Sequence, residues 1–66
     1  MTWHEVTFVY YKNGKAQATR TATAETEGER PKSTRKYQKT KTTYTEWFPD
    51  ERTADQAVED FKEAHK

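Results

Sequence analysis

The sequence predicts an α+β domain in which a three-stranded antiparallel β-meander carries one C-terminal α-helix on its apolar face, in the order β-β-β-α. Three observations lead there. Eleven of the twelve Thr and eight of the nine aromatic residues lie in the first 48 positions, and these types favour a pleated, half-buried surface. An Asn13-Gly14 pair separates two such segments, as in a hairpin. Only the end of the chain repeats apolar residues at steps of three and four, the period of an amphipathic helix.

Residues 2–12 form the first predicted strand, being dense in β-branched and aromatic types without Gly or Pro. Residues 15–25 form the second, where Ala or Arg alternates with Gln or Thr. A two-residue Asn13-Gly14 turn would pair Tyr11 with Ala16 and set Val6, Phe8 and Tyr10 against Thr21, Thr19 and Gln17. A three-residue loop of Lys12, Asn13 and Gly14, with Gly14 at a positive-φ bulge position, instead pairs Tyr10 with Ala16 and Phe8 with Ala18. The second register is preferred. It gathers His4, Val6, Phe8, Tyr10, Ala16, Ala18, Ala22 and Ala24 on one face, interrupted by Arg20 alone, and the small Ala side chains leave room for a helix.

Residues 27–32 contain Gly28, Pro31 and four charges and read as a long connection. Residues 33–48 form the third predicted strand, bulged near residues 38–41, with Tyr44 and Phe48 inward and Arg35, Tyr37, Lys39, Lys41 and Trp47 outward. The helix is placed at residues 53–65. Thr53 and Gln56 match a capping box, Asp50, Glu51 and Asp55 lie where the helix dipole favours negative charge, and His65 and Lys66 lie at the favourable end for positive charge. Its stripe is Ala54, Ala57, Val58, Phe61 and Ala64. The predicted core is Val6, Phe8, Tyr10, Tyr44, Phe48, Val58 and Phe61.

Sixty-six residues make one small domain. Twenty residues are apolar, seven of them Ala, and Leu and Ile are absent, so the core is small and stability marginal. Zero Cys excludes disulfides, thiolate metal sites and a Cys nucleophile. No run is long and apolar enough to span a membrane, and the N-terminus lacks the order of a signal peptide. A cytoplasmic monomer is therefore expected.

Catalysis is excluded on inventory. His4 and His65 are the only imidazoles, neither lies in a motif, and two Gly cannot build a phosphate-cradling loop. The helix carboxylates Asp55, Glu59, Asp60 and Glu63 spread outward rather than into a cleft. No metal or cofactor is expected.

Charge supplies the functional clue. Residues 1–47 carry nine Lys or Arg against five Glu, and residues 48–66 carry three basic against six acidic residues. Residues 30–41 hold six positive charges and no negative one, the composition of a phosphate-facing segment. Exposed strand Lys also blocks edge-to-edge aggregation, which is the structural explanation of the same run. In the preferred register the sheet face away from the helix carries Trp3, Thr7, Val9, Tyr11, Lys15, Gln17, Thr19, Thr21 and Thr23, joined by Arg35, Tyr37, Lys39, Lys41 and Thr43. Such a face suits a groove of DNA, with cations on phosphates and Thr or Gln at base edges, or stacking on unpaired bases. The candidate contact residues are Arg35, Tyr37, Lys39, Lys41, Lys15, Thr19, Thr21 and Tyr11. Exposed Trp3, Val9 and Tyr11 would form a patch that marks a contact surface.

The hairpin Tyr10-Tyr11-Lys12-Asn13-Gly14-Lys15, a third strand ending at Phe48, and Thr53-Ala54-Asp55-Gln56-Ala57 opening the helix together resemble the small amino-terminal arm-site DNA-binding domain of phage and transposon integrases. The resemblance is one of topology. It implies a three-stranded sheet that enters the major groove with the helix behind it. The expected function is thus a non-catalytic domain that binds DNA or RNA. The alternatives are a protein-interaction module, such as a small inhibitor or adaptor using a sheet face or edge, and a designed scaffold without natural function. Absent Leu and Ile favour the scaffold, and the irregular third strand opposes it.

Overall fold

The first strand is apolar on both faces, and it occupies the interior of the sheet. In the computed structural model, which describes residues 1–65, the elements are β1 (Thr2–Tyr11), β2 (Ala16–Glu25), β3 (Arg35–Tyr37), β4 (Lys41–Phe48) and α1 (Glu51–Ala64). The sheet order is β2-β1-β4-β3, antiparallel throughout. The α+β class and the C-terminal helix agree with the sequence. The three-stranded meander does not: there are four strands, and the chain leaving β2 crosses to the far edge of the sheet instead of pairing with β2 again. The reason lies in β1. Val6 and Phe8 face the helix while Trp3 and Val9 face the other way, so only a central position covers both sets, whereas the Ala/Thr pattern of β2 suits an edge.

The β1–β2 hairpin has the predicted three-residue loop. Tyr10 pairs with Ala16 and Phe8 with Ala18, Tyr11 donates its amide to Lys15 O at 2.8 Å, and Gly14 has φ 91°, a region open to Gly. The register then shifts. Val6 opposes Arg20, but Glu5 opposes Ala22, so Thr21 is an extra residue of the kind that re-aims a strand. Beyond it the parity of β2 reverses. Ala22 and Ala24, expected under the helix, share the outer face with their partners Glu5 and Trp3. Arg20 stays on the helix side, where it donates to Asp55 Oδ1 at 3.1 Å and Glu51 Oε1 at 3.4 Å.

The single strand expected over residues 33–48 is a hairpin. Gln38 N donates to Lys41 O at 2.9 Å, turning the chain so that Arg35 pairs with Tyr44 and Tyr37 with Thr42. Trp3 and Val9 are buried at 8% and 7% exposure, which removes the expected exposed patch. Trp3 Nε1 donates to Thr26 Oγ1 at 2.9 Å, and Val9 sits between Gln17 and Thr43.

The helix begins two residues earlier than the spacing predicts. Asp50, not Thr53, is the N-cap: its side chain accepts from Thr53 N at 2.8 Å, an arrangement Asp favours. These hydrogen bonds from the Thr53 backbone and then its side chain hold the Asp50 carboxyl below its ordinary range. His65 ends the helix with its amide on Phe61 O, and Lys66 lies outside the described residues. Val6, Ala18, Ala54 and Val58 form the buried core, with Phe8, Phe48 and Phe61 half-buried against it. Tyr10, expected in this core, is 40% exposed, and Tyr44 is half-buried, because α1 lies over β2 and β1, meets β4 less, and does not reach β3.

Candidate nucleic-acid interface

Two acid-free segments meet at one end of the sheet. No Asp or Glu occurs between Glu5 and Glu25, nor between Glu29 and Glu46, and these segments contain the β1–β2 and β3–β4 turns. Lys12 N donates to Thr40 O at 3.0 Å, binding the turns to each other. Lys12, Lys15, Lys36 and Lys39 are exposed there, and Lys41 is half-buried beside Tyr11. Glu5, Glu25 and Glu46 lie toward the opposite end of their strands, and Asp50 caps the helix just beyond β4. The sheet therefore has a basic end and an acidic end. Glu59, Asp60 and Glu63 are carried by α1, which does not contact β3 but whose C-terminal turn packs on Tyr10 at the hairpin end.

The expected contact residues are divided by the β3–β4 turn. Pairing places Lys41 on the outer face, opposite Tyr11. Arg35 and Tyr37 fall on the helix-side face with Tyr44 and Thr42, because a turn, not a bulge, separates them from Lys41. Lys39 is in the turn itself. Tyr11 is half-buried, its hydroxyl accepting from Gln17 Nε2 at 3.2 Å. Thr19 is exposed opposite Thr7. Thr21, at the bulge, shares a hydrogen bond with Thr7 at 3.0 Å and donates to Glu5, so its hydroxyl is already engaged. Across the outer face Thr19, Thr7, Thr45 and Thr34 form one row, a polar surface with little charge. Phosphate-seeking groups are thus concentrated at the hairpin end and the β3 edge.

Sequence reasoning missed two parts of this end. Lys12 and Lys36 were not singled out, because their proximity depends on the Lys12–Thr40 contact across the sheet. The second part is a groove of about 710 Å³ on the helix-side face, lined by Phe8, Tyr10, Tyr44 and Phe61 with Ser33, Thr34 and Arg35 along the β3 side. The Arg35 guanidinium lies 4.9 Å from the centroid of the Tyr44 ring, within cation–π range, and donates to Tyr37 Oη at 3.3 Å. That hydrogen bond, with the charge interaction of Tyr37 and then that of Tyr44, raises the affinity of Arg35 for its proton, and desolvation opposes it. Arg35 is a fixed cation on the groove rim.

Among the described residues no group of three His, Cys, Asp or Glu could hold a metal ion, and no helix is long and apolar enough to cross a membrane. No protein-family model, curated protein or solved structure matches the chain.

Proposed function

We propose that this chain is a small nucleic-acid-binding domain that engages phosphates through its paired hairpin turns. The observation that carries the reading is the hydrogen bond from Lys12 N to Thr40 O, which fixes two acid-free turns as one basic end. Cations held together by a rigid scaffold neutralise neighbouring phosphates without each turn being ordered separately. Their separation from the acidic end would also orient the molecule on approach. In this reading the hairpin end and the β3 edge make contact, in place of the flat three-stranded face that the resemblance to integrase arm-site domains implies.

The test is a binding titration against duplex DNA, single-stranded DNA and RNA at several salt concentrations. If about four phosphates are neutralised, log K against log salt on duplex DNA slopes at roughly −3.6, from about −0.9 per contact. Lys36→Glu with Lys39→Glu removes binding and leaves the melt intact, since both side chains are exposed. No affinity for any of the three at about 50 mM salt, where phosphate binding is strong, would leave the protein-interaction module as the better account.

A further inference from the structure

We infer that the groove between α1 and β3 receives unpaired bases, so that the domain prefers single-stranded to duplex nucleic acid; this rests on the nucleic-acid reading above and names its substrate class. The groove is built from rings on three elements: Phe8 and Tyr10 of β1, Tyr44 of β4 and Phe61 of α1. It is an open groove whose volume of about 710 Å³ falls in the range of small-molecule sites. The rings touch one another, Phe8 meeting Phe61 at 5.0 Å and 47°, and Tyr10, 40% exposed, is the ring most open to a base. Tyr10 meets Tyr44 at 86° and Phe61 at 70°, edge to face, and only Phe61 has a stacked neighbour, His65 at 4.2 Å.

Charge selects the occupant. Arg35 is the cation lining the groove and Glu46 the one acidic residue, and the β3 edge and turn beyond the rim add Lys36, on the opposite face, and Lys39. A wholly apolar peptide would offer Arg35 no anion beyond its contacts with Tyr37 and Tyr44. A nucleotide strand supplies both halves at once: a base for the rings and, one backbone step away, a phosphate for Arg35. Bases stacked inside a duplex cannot enter, whereas each base of a single strand has a free π face. Stacking of this kind tolerates every base, so the preference is for strandedness and not for sequence.

The experiment compares three labelled probes of equal length on the wild-type protein: a thymidine oligomer, the same backbone without bases, and a duplex. The thymidine strand is expected to bind at least about five-fold more tightly than the abasic strand, the low end of what one stacked base contributes. It should also bind more tightly than the duplex. Tyr10→Leu with Tyr44→Leu, which keeps apolar bulk and removes the rings, then lowers affinity for the thymidine strand by a similar factor and leaves duplex affinity unchanged. The abasic comparison needs no variant and stands even where the double variant fails to fold. Equal binding of all three probes overturns the groove assignment while the phosphate reading survives. Binding of none overturns both and leaves the groove to a protein partner.

Discussion

The amide of Lys12 and the carbonyl of Thr40 are 3.0 Å apart, and this contact continues the β1–β4 ladder beyond Tyr11–Lys41, so the tips of two hairpins 28 residues apart in sequence form one surface. Charge reversal in either hairpin should therefore weaken the same binding event. Lys15→Glu, in the turn of the first hairpin, is expected to reduce affinity for duplex DNA and to make the salt slope shallower by about 0.9 if one phosphate contact is lost. Measuring the slope, rather than affinity at one salt, separates a lost contact from general damage. An unchanged slope would confine phosphate binding to the second hairpin.

Stability should rest on few residues. Val6 is fully buried between β2 and α1 with Ala18, Ala54 and Val58. Val6→Ala is expected to cost about 2 kcal/mol, from lost transfer energy and the cavity left behind, which lowers Tm by roughly 8–16 °C in a domain of this size. Phe61, at the groove wall and only half-buried, should cost less than the about 3–5 kcal/mol of a fully buried Phe truncated to Ala. Thermal melts of both variants check the ranking relative to side-chain size. A loss for Phe61→Ala within the full range of about 3–5 kcal/mol would mean that the groove wall holds the helix as firmly as a fully buried Phe would.

Local patterns were legible where one residue type decides the geometry. Gly14 and the Tyr10–Ala16 pairing followed from the need for a positive-φ residue, and the helix stripe from its spacing. What depended on counting beyond one turn went astray. The β3–β4 turn contains Gln38, Lys39 and Thr40 and neither Gly nor Pro, so no breaker marked it, and the faces expected for Arg35 and Tyr37 were inverted. The bulge at Thr21 is equally silent, because the alternation of β2 continues unbroken through it. Strand order was recoverable in principle from the two apolar faces of β1. The basic segment 30–41 was visible as composition, but its division between two faces and its meeting with Lys12 and Lys15 arise only from the pairing of β1 with β4.

The N-cap makes stability depend on acid. Asp50 is held below its ordinary carboxyl value of 3.8 by the Thr53 backbone and side-chain hydrogen bonds, so the folded state favours its ionised form. The stabilisation is complete above the unfolded-state value and is lost as pH falls through the lower folded-state value. Tm should therefore drop as pH is lowered below about 4, near the ordinary range of Asp. Asp50→Asn keeps a cap without an ionisable group. Its melt is expected to be lower than wild type at neutral pH and flatter across the acid range, and parallel profiles would assign the acid sensitivity to other carboxylates.

Gly14 offers a test in which conformation is separated from packing. Its φ is 91°, and a Cβ built on it meets nothing within 4 Å, so any penalty for substitution comes from the backbone. A non-Gly residue in this region costs about 1–2 kcal/mol, with Asn and Asp the mildest and β-branched residues the worst. Gly14→Val should accordingly lower Tm more than Gly14→Asn, although Asn adds a longer polar side chain to an exposed turn. Because the Gly14 loop carries Lys12 into its contact with Thr40, the Val variant should also weaken phosphate binding before it unfolds the sheet. Equal melts for Asn and Val would mean that the turn relaxes to another geometry without cost, and the three-residue loop would then not be what sets the register of β1 on β2.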